Sequence, residues 1–339
     1  MSMKTLRGLA VALLGFAAFA MPARAANEQT ILAIPGVNVL FLVQYVAADL
    51  HLWEKQGLDV KVLNIIGIGS MNAVIAGSAD FSMSSGATIA RAAARGQKLV
   101  ALATAITQSG QSVVVRKDVA DAAHFDPKAP LSVRGAILKG HTWAHGGTGA
   151  IPDVVLKVVG KDAGVSPDQM VATPMQPPEF MAAFANHQID GFSNSPPFVE
   201  QVLLAGTGVL VSDARIGEPT EFSPVSAALL LTRGDFCAKS KSVCEKMVRG
   251  VVDALKVIHD NREQALVVMK AHFGTYDDKT LSAAYDTVKA MTTLPPTTTP
   301  KMIENGDSMN VAAGFLKPEE KLPRYDDLID NTFAEAAMK

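Results

Sequence analysis

Apolar positions along this chain change their period repeatedly, and the changes mark out elements. "QTILAIPG" is a short apolar run closed by Pro35-Gly36 and predicts a strand. In "NVLFLVQYVAADLHLWEKQG", Leu40, Val43, Ala47 and Leu50 recur near helical spacing, with Trp53 beyond them. Gly57 stops the pattern, so a helix is expected. "LDVKVLNI" alternates apolar and polar residues like a half-buried strand. "MNAVIAG" then reads as a short helix, "ADFSMS" as a strand, "ATIARAAARG" as a helix closed by Gly96, and "KLVALATAI" as a strand.

The alternation continues more weakly. "SVVVRKD" and "HTWAH" predict strands, separated by the polar, partly helical "HFDPKAPLSVRGAILKG". After the turn "GGTG", "AIPDVVLKVVGKDAG" is a helix, "MVATPM" a strand, "PPEFMAAFANHQ" a helix, "IDGFSNS" a strand and turn, and "PPFVEQVLLAG" a helix. Residues from Ser240 to His272 are helix-rich, "LPPTTTP" is a loop, and two more helical pieces close the chain. Strands alternating with helices predict an α/β fold with largely parallel sheet.

Glycine and serine turns stand between strand and helix at Gly67–Ser70, Ser84–Gly86 and Gly146–Gly149. In open α/β sheets ligands sit beyond the carboxyl ends of strands, where such turns lie. Helix starts offer N–H groups that favour an anion such as a carboxylate or sulfonate. Three turns spread over both halves predict a shared cleft. The candidate ligand residues are Asn38 and Val39 after the first strand, then Gly69 and Ser70. Ser84, Ser85 and Thr88 form the second turn, and Thr107 and Gln108 follow the next strand. Gly147, Thr148 and Gly149 form the third turn, and Asn194 and Ser195 follow a later strand. Ser70 and Ser85 are equally placed to act as helix caps.

The ends and the charge narrow the class. "MSMKTLRG" is basic, Leu9–Met21 is apolar and too short for a stable membrane anchor, and "ARA" at Ala23–Ala25 is a cleavage pattern. A signal peptide over residues 1–25 is expected, cut after Ala25, with export to a bacterial periplasm. Without it, Lys+Arg falls to 28 against 33 Asp+Glu, a net charge of −5. No basic run with interleaved aromatics is present, so a nucleic-acid partner is not expected. Cys237 and Cys244 fit no common zinc or redox spacing. In an oxidising compartment a short-loop disulfide is expected, two separate buried thiols being the alternative.

No H-E-x-x-H, G-x-S-x-G or Walker A pattern occurs, and no catalytic residue, metal or cofactor is expected. His141 and His145 lie four apart on one strand face but lack a third ligand. His145 is instead expected either to donate a hydrogen bond in the cleft or to pack at the strand end.

The order of segments resembles the periplasmic substrate-binding proteins of ABC importers, in the branch of nitrate, sulfonate and taurine binders and the NMT1/THI5-like proteins. The residues that carry the resemblance are "VAADLHLWEKQGLDVKVL", "GIGSMNAVIAGSADF", "LKGHTWAHGGTG", "VSPDQMVATPMQPPEFMAAFANHQIDGF" and "YDDLIDNTFAEA". The resemblance implies a type II periplasmic-binding-protein fold: two α/β lobes joined by two crossing strands, with the ligand between them. It implies a discontinuous first lobe, residues 26–108 plus 222–339, and a second lobe at 109–221. The implied function is capture of a small organic molecule by lobe closure and delivery to an inner-membrane ABC permease, as a monomer and without enzymatic activity. The alternatives are a periplasmic sensor for a signalling partner, or an enzyme like the thiamine-pyrimidine synthases. The latter carry a cysteine-rich iron motif that this chain lacks. His141, Trp143 and His145 also stand where relatives have small or aliphatic residues.

Overall fold

The computed structural model describes residues 27–65, 68–146, 148 and 150–339. The expected leader over residues 1–25 lies outside the described residues, as do Gly147 and Gly149. Among the described residues the strands are β1 (Glu28–Ile34), β2 (Leu58–Asn64), β3 (Phe81–Ser84), β4 (Leu99–Ile106), β5 (Ser112–Arg116), β6 (Thr142–His145), β7 (Val171–Pro174), β8 (Gly191–Asn194), β9 (Gly208–Ser212) and β10 (Ala228–Arg233). They form two five-stranded sheets, ordered β2-β1-β3-β10-β4 and β7-β6-β8-β5-β9. One inner strand of each, β10 or β5, runs antiparallel to both its neighbours. The other pairs, β1 with β2 and β3, and β6 with β7 and β8, are parallel, so the sheets are mixed rather than largely parallel as the alternation of elements predicted. Each antiparallel strand is the first laid down after the chain crosses from one sheet to the other.

Inner strands are apolar on both sides because helices cover both faces. Leu32 and Ile34 of β1 enter one core and Ala33 the opposite one. In the second sheet Val113 and Val115 point one way and Val114 the other. All three valines are fully buried, each stabilising the fold by about 1.5–3 kcal/mol relative to exposure.

The two crossings run side by side. The Val225 amide donates to the Thr107 carbonyl at 2.9 Å, and the Ser223 hydroxyl to Gln108 Oε1 at 2.6 Å. Thr107 is also tied to Met291, its amide and its hydroxyl donating to that carbonyl at 2.9 and 3.0 Å.

The single helix expected between Asn38 and Gly57 is three pieces: a 3-10 turn at Val39–Phe41, a helix at Leu42–Asp49 and a short one at Leu52–Lys55. His51 breaks it with a left-handed φ of 54°. The break turns Trp53 into the core, where its indole N–H donates to the Met247 carbonyl at 3.0 Å. The long helix expected after Ser240 spans Lys241–Asp260. A Cys237–Cys244 disulfide ties its first turn to the preceding Phe236–Lys239 turn.

At the amino ends of β3 and β8 the two sheets use one device. Asp80 Oδ2 accepts from the Thr30 hydroxyl at 2.9 Å and the Ile31 amide at 3.0 Å, with Arg233 Nη2 3.9 Å from Oδ1. Asp190 Oδ2 accepts from the Thr142 amide at 2.8 Å, with Arg116 Nη2 3.6 Å from Oδ1. Each arginine sits on the antiparallel strand and also donates to backbone carbonyls, Arg233 to Val74 and Ala79 and Arg116 to Ile189.

Candidate ligand cleft

The opposite, carboxyl ends of the parallel strands hold the candidate site. After β1 the chain turns at Asn38, whose Oδ1 accepts from the Leu40 amide at 2.8 Å and so starts the 3-10 turn. Capping with the oxygen leaves the Asn38 amide nitrogen pointing outward. It donates to Ser195 Oγ at 3.4 Å, just beyond β8 of the other sheet. Ser195 is held in place by its own N–H, which donates to Asn194 Oδ1 at 2.8 Å. Asn38, Asn194 and Ser195 are thereby brought together from both halves.

Ser85 sits at the end of β3 and caps the Gly86–Ala94 helix. The Thr88 amide donates to Ser85 Oγ at 3.2 Å, and the two hydroxyls share a 2.8 Å hydrogen bond. The amides of this helix start are less open than the turn suggested. Gly86 N–H donates to the Ser226 carbonyl at 2.7 Å. Gly306 packs so closely that a Cβ there would lie 2.4 Å from the Ala87 nitrogen. What this turn offers is therefore its half-buried hydroxyls, Ser85 and Thr88, beside the buried Ser84.

The remaining candidates scatter. Val39 is 1% exposed and packs in the first core, so it supports the turn rather than lining a surface. Gly69 and Ser70 open the Gly69–Ile75 helix, and Ser70 is fully buried. Thr107 and Gln108 serve the crossing described above. His145, at the end of β6, is 2% exposed, and its Nε2 lies 3.8 Å from Asp153 Oδ1. Asp153, in the first turn of the Ile151–Asp162 helix, also accepts from Lys157 at 2.8 Å. Thr148 is exposed between the undescribed Gly147 and Gly149. Arg116 and Arg233 are tied at the far ends of the strands and bring no positive charge here.

A second contact between the halves was not legible as a site. Glu200, on the Phe198–Leu204 helix, accepts from the Thr287 hydroxyl of the Asp278–Met291 helix at 2.7 Å, and both residues are 6% exposed. Burial pushes the Glu200 carboxyl above its ordinary pKa, a shift partly offset by the Thr287 bond. The available signal was an acid among the apolar residues of "PPFVEQVLLAG".

A surface hollow of about 650 Å³ lies elsewhere, lined among others by Arg116, Lys117, Phe184 and His187. Its charges neutralise one another, Arg116 with Asp118 and Lys117 with Asp121. The meeting of strand ends from two sheets is the better candidate, because it combines polar side chains, half-buried at Asn38, Ser85 and Thr88 and buried at Asn194 and Ser195, with the topology that places ligands at strand ends. No group of three or more His, Cys, Asp or Glu that could hold a metal occurs among the described residues. No helix among them is long and apolar enough to cross a membrane.

The family model described as NMT1/THI5 like matches residues 38–265. The chain belongs to this family. None of the curated proteins matches the NMT1/THI5-like chain in sequence. Its structure is similar to the periplasmic aliphatic sulphonate binding protein SsuA from Escherichia coli, at TM-score 0.65 and 18% identity, covering 89% of this chain and 96% of that one. It is similar to a ligand-binding component of an ABC-type import system from Staphylococcus aureus, at TM-score 0.63 and 17% identity, covering 92% and 99%. It is also similar to the desulfurization enzyme DSZB, at TM-score 0.64 and 12% identity, again over 92% and 99%. At these identities the likeness establishes the fold. The two sheets are the lobes of a periplasmic-binding-protein fold, as the resemblance implied.

Proposed function

We propose that this protein is a periplasmic solute receptor. It captures a small organic molecule between its lobes and delivers it, as a monomer, to an inner-membrane ABC permease. The carrying observation is the Asn38–Ser195 hydrogen bond, which joins strand-end turns of the two sheets. A ligand that bonds to both turns favours the closed arrangement, because only there are both within reach. The lobes divide as residues 26–108 plus 222–339 and residues 109–221, and the leader is removed after Ala25.

The ligand carries an anionic group of the sulfonate or carboxylate kind. Sulphonate binding by the Escherichia coli neighbour supports this reading. With Arg116 and Arg233 tied elsewhere, hydroxyl and amide donors hold the anion: Asn38, Ser85, Thr88, Asn194, Ser195 and Thr148. Hydrogen bonds to a charged group stabilise by about 1.5–3 kcal/mol each, so several suffice without a guanidinium. Thiol chemistry is disfavoured because both cysteines are joined in the disulfide, and the likeness to ligand-binding components of import systems supports a receptor.

The test is a thermal-shift screen of sulfonates, carboxylates, nitrate and pyrimidines on the mature chain. A ligand at 100 times its Kd adds about 2.7 kcal/mol. A sulfonate or carboxylate is expected to raise the melting temperature in the parent and less in Asn38→Ala. Equal shifts in both proteins would move the site away from the strand ends.

A further inference from the structure

One short segment of the second lobe makes three contacts to the first. Ser195 meets Asn38. Phe198 packs edge-on against Tyr276, their ring centroids 6.1 Å apart. Glu200 accepts from Thr287. Two of these suit any closed interface, but the third buries an ionisable group. Glu200 Oε1 takes the Thr287 hydroxyl, and Oε2 is buried with no hydrogen-bond partner. Glu200 and Thr287 border a cavity of about 10 Å³ together with Asp213 and Arg215, room for about one water at most.

The charged groups facing Glu200 do not balance it. Arg215 is engaged by Asp213 at 2.6 Å, and Asp213 itself repels a second carboxylate. From the opposite helix, Thr287 is the residue that borders the cavity. A carboxylate with one side-chain donor in so dry a place is costly, whereas a neutral carboxyl is far less so.

We propose that Glu200 is a proton-linked clasp: it is seated as a neutral carboxyl against Thr287 when the lobes close, and it gives its proton to solvent when they part. The proposal rests on the lobe-closure reading above. Burial is the largest cause of the upward shift at Glu200, with the Thr287 bond, the residue's own backbone amide and Arg215 acting against it and Asp213 adding to it. The sign follows from linkage. In the open form Glu200 titrates in the ordinary carboxylate range, and in the closed form it titrates higher. Between those two values the closed form holds one more proton. Closure is therefore fully favoured below the ordinary range and is lost as pH rises through the raised value. One proton changes the closed-to-open ratio by at most about tenfold per pH unit.

The experiment places spin labels on the exposed positions Lys61 and Lys128, one in each lobe, in the full mature chain without added ligand. The distance distribution is recorded from pH 4.5 to 9, with circular dichroism as the folding control. The closed population is expected to fall severalfold with rising pH in the parent. It should stay high and flat in Glu200→Gln, whose neutral amide cannot titrate. Thr287→Val, which removes one methyl-sized donor, should open at lower pH than the parent. Two distances whose ratio does not change with pH, or a Glu200→Gln profile that follows the parent's, would overturn the clasp while leaving closure intact. A single distance at every pH in all three proteins would overturn both.

Discussion

The two lobes are built alike at one end of their strands and differently at the other. At the amino ends, Asp80 with Arg233 and Asp190 with Arg116 occupy equivalent places. At the carboxyl ends, β3 runs through Ser84 and Ser85 into a serine-capped helix. β8 runs through Asn194 and Ser195 into Pro196-Pro197 and a helix with no side-chain cap. Prolines supply no N–H donors, so the second lobe presents side-chain amide and hydroxyl groups there. The repeated end holds each sheet together. The divergent end is where the halves meet, and asymmetry there lets one molecule be held by two different sets of donors.

The same pairing of halves shows how volume is traded. Leu32 pairs with Phe81 across β1 and β3, and the equivalent pair in the second sheet is Trp143 with Gly191. The large ring has moved to the partner strand. A Cβ on Gly191 would lie 2.2 Å from the Trp143 ring. Trp143→Ala should accordingly be the most damaging change, costing about 3–5 kcal/mol, since it empties a fully buried site and frees the Leu138 carbonyl from its 3.1 Å bond to the indole. The sharper form is the swap. Trp143→Leu with Gly191→Phe recreates the first-lobe pair, and urea unfolding should find the double variant more stable than the sum of the single costs predicts. Strict additivity would mean that the equivalence is superficial.

Only the first lobe carries a disulfide. Replacing Cys237 and Cys244 by serine should cost about 2–3 kcal/mol by the chain-entropy argument for so short a loop. Hydrogen exchange should place the loss in the Lys241–Asp260 helix and its neighbours. Equal loosening of both lobes would show that they unfold as one unit.

The divergent ends separate caps from contacts. Ser85→Ala should lower stability by about 0.5–2 kcal/mol, because it removes a helix cap. Ser195→Ala should leave the melting temperature nearly unchanged and weaken ligand binding by about 1.5–3 kcal/mol if a charged group is held. Calorimetry with a ligand from the screen checks both. A stability loss at Ser195 equal to that at Ser85 would make the second-lobe turn structural as well.

The smallest effect tests the repeated ends. Asp80 binds a hydroxyl of Thr30, whereas Asp190 binds the backbone amide of Thr142. Thr30→Val should cost about 1 kcal/mol and Thr142→Val much less, read as the difference between urea midpoints.

The arrangement of elements was largely legible. The apolar run in "SVVVRKD" marked β5, and the helix-rich stretch from Ser240 holds the Lys241–Asp260 helix. The break at His51 was not, since the Leu-rich pattern continues through it and only the docking of Trp53 requires the turn. The site was legible in part. Asn38, Asn194 and Ser195 meet, whereas Val39 and the fully buried Ser70 are interior, because a turn residue's position in the chain does not say which way its side chain goes.

By itself the sequence determined what is local: where strands give way to helices, that glycine and serine mark the turns between them, and that two cysteines seven residues apart lie within reach of one another. Periodicity reports burial along an element, and burial is dictated within a few residues. Only the tertiary structure decided which distant turns face each other. Asn38 and Ser195 are 157 residues apart, and Glu200 and Thr287 are 87 apart. Those contacts depend on the two crossings and on the register of β5 and β10, which are settled by the packing of whole sheets. The same packing ties Arg116 to Asp190 and Arg233 to Asp80 at the amino ends of β8 and β3, away from the strand-end turns.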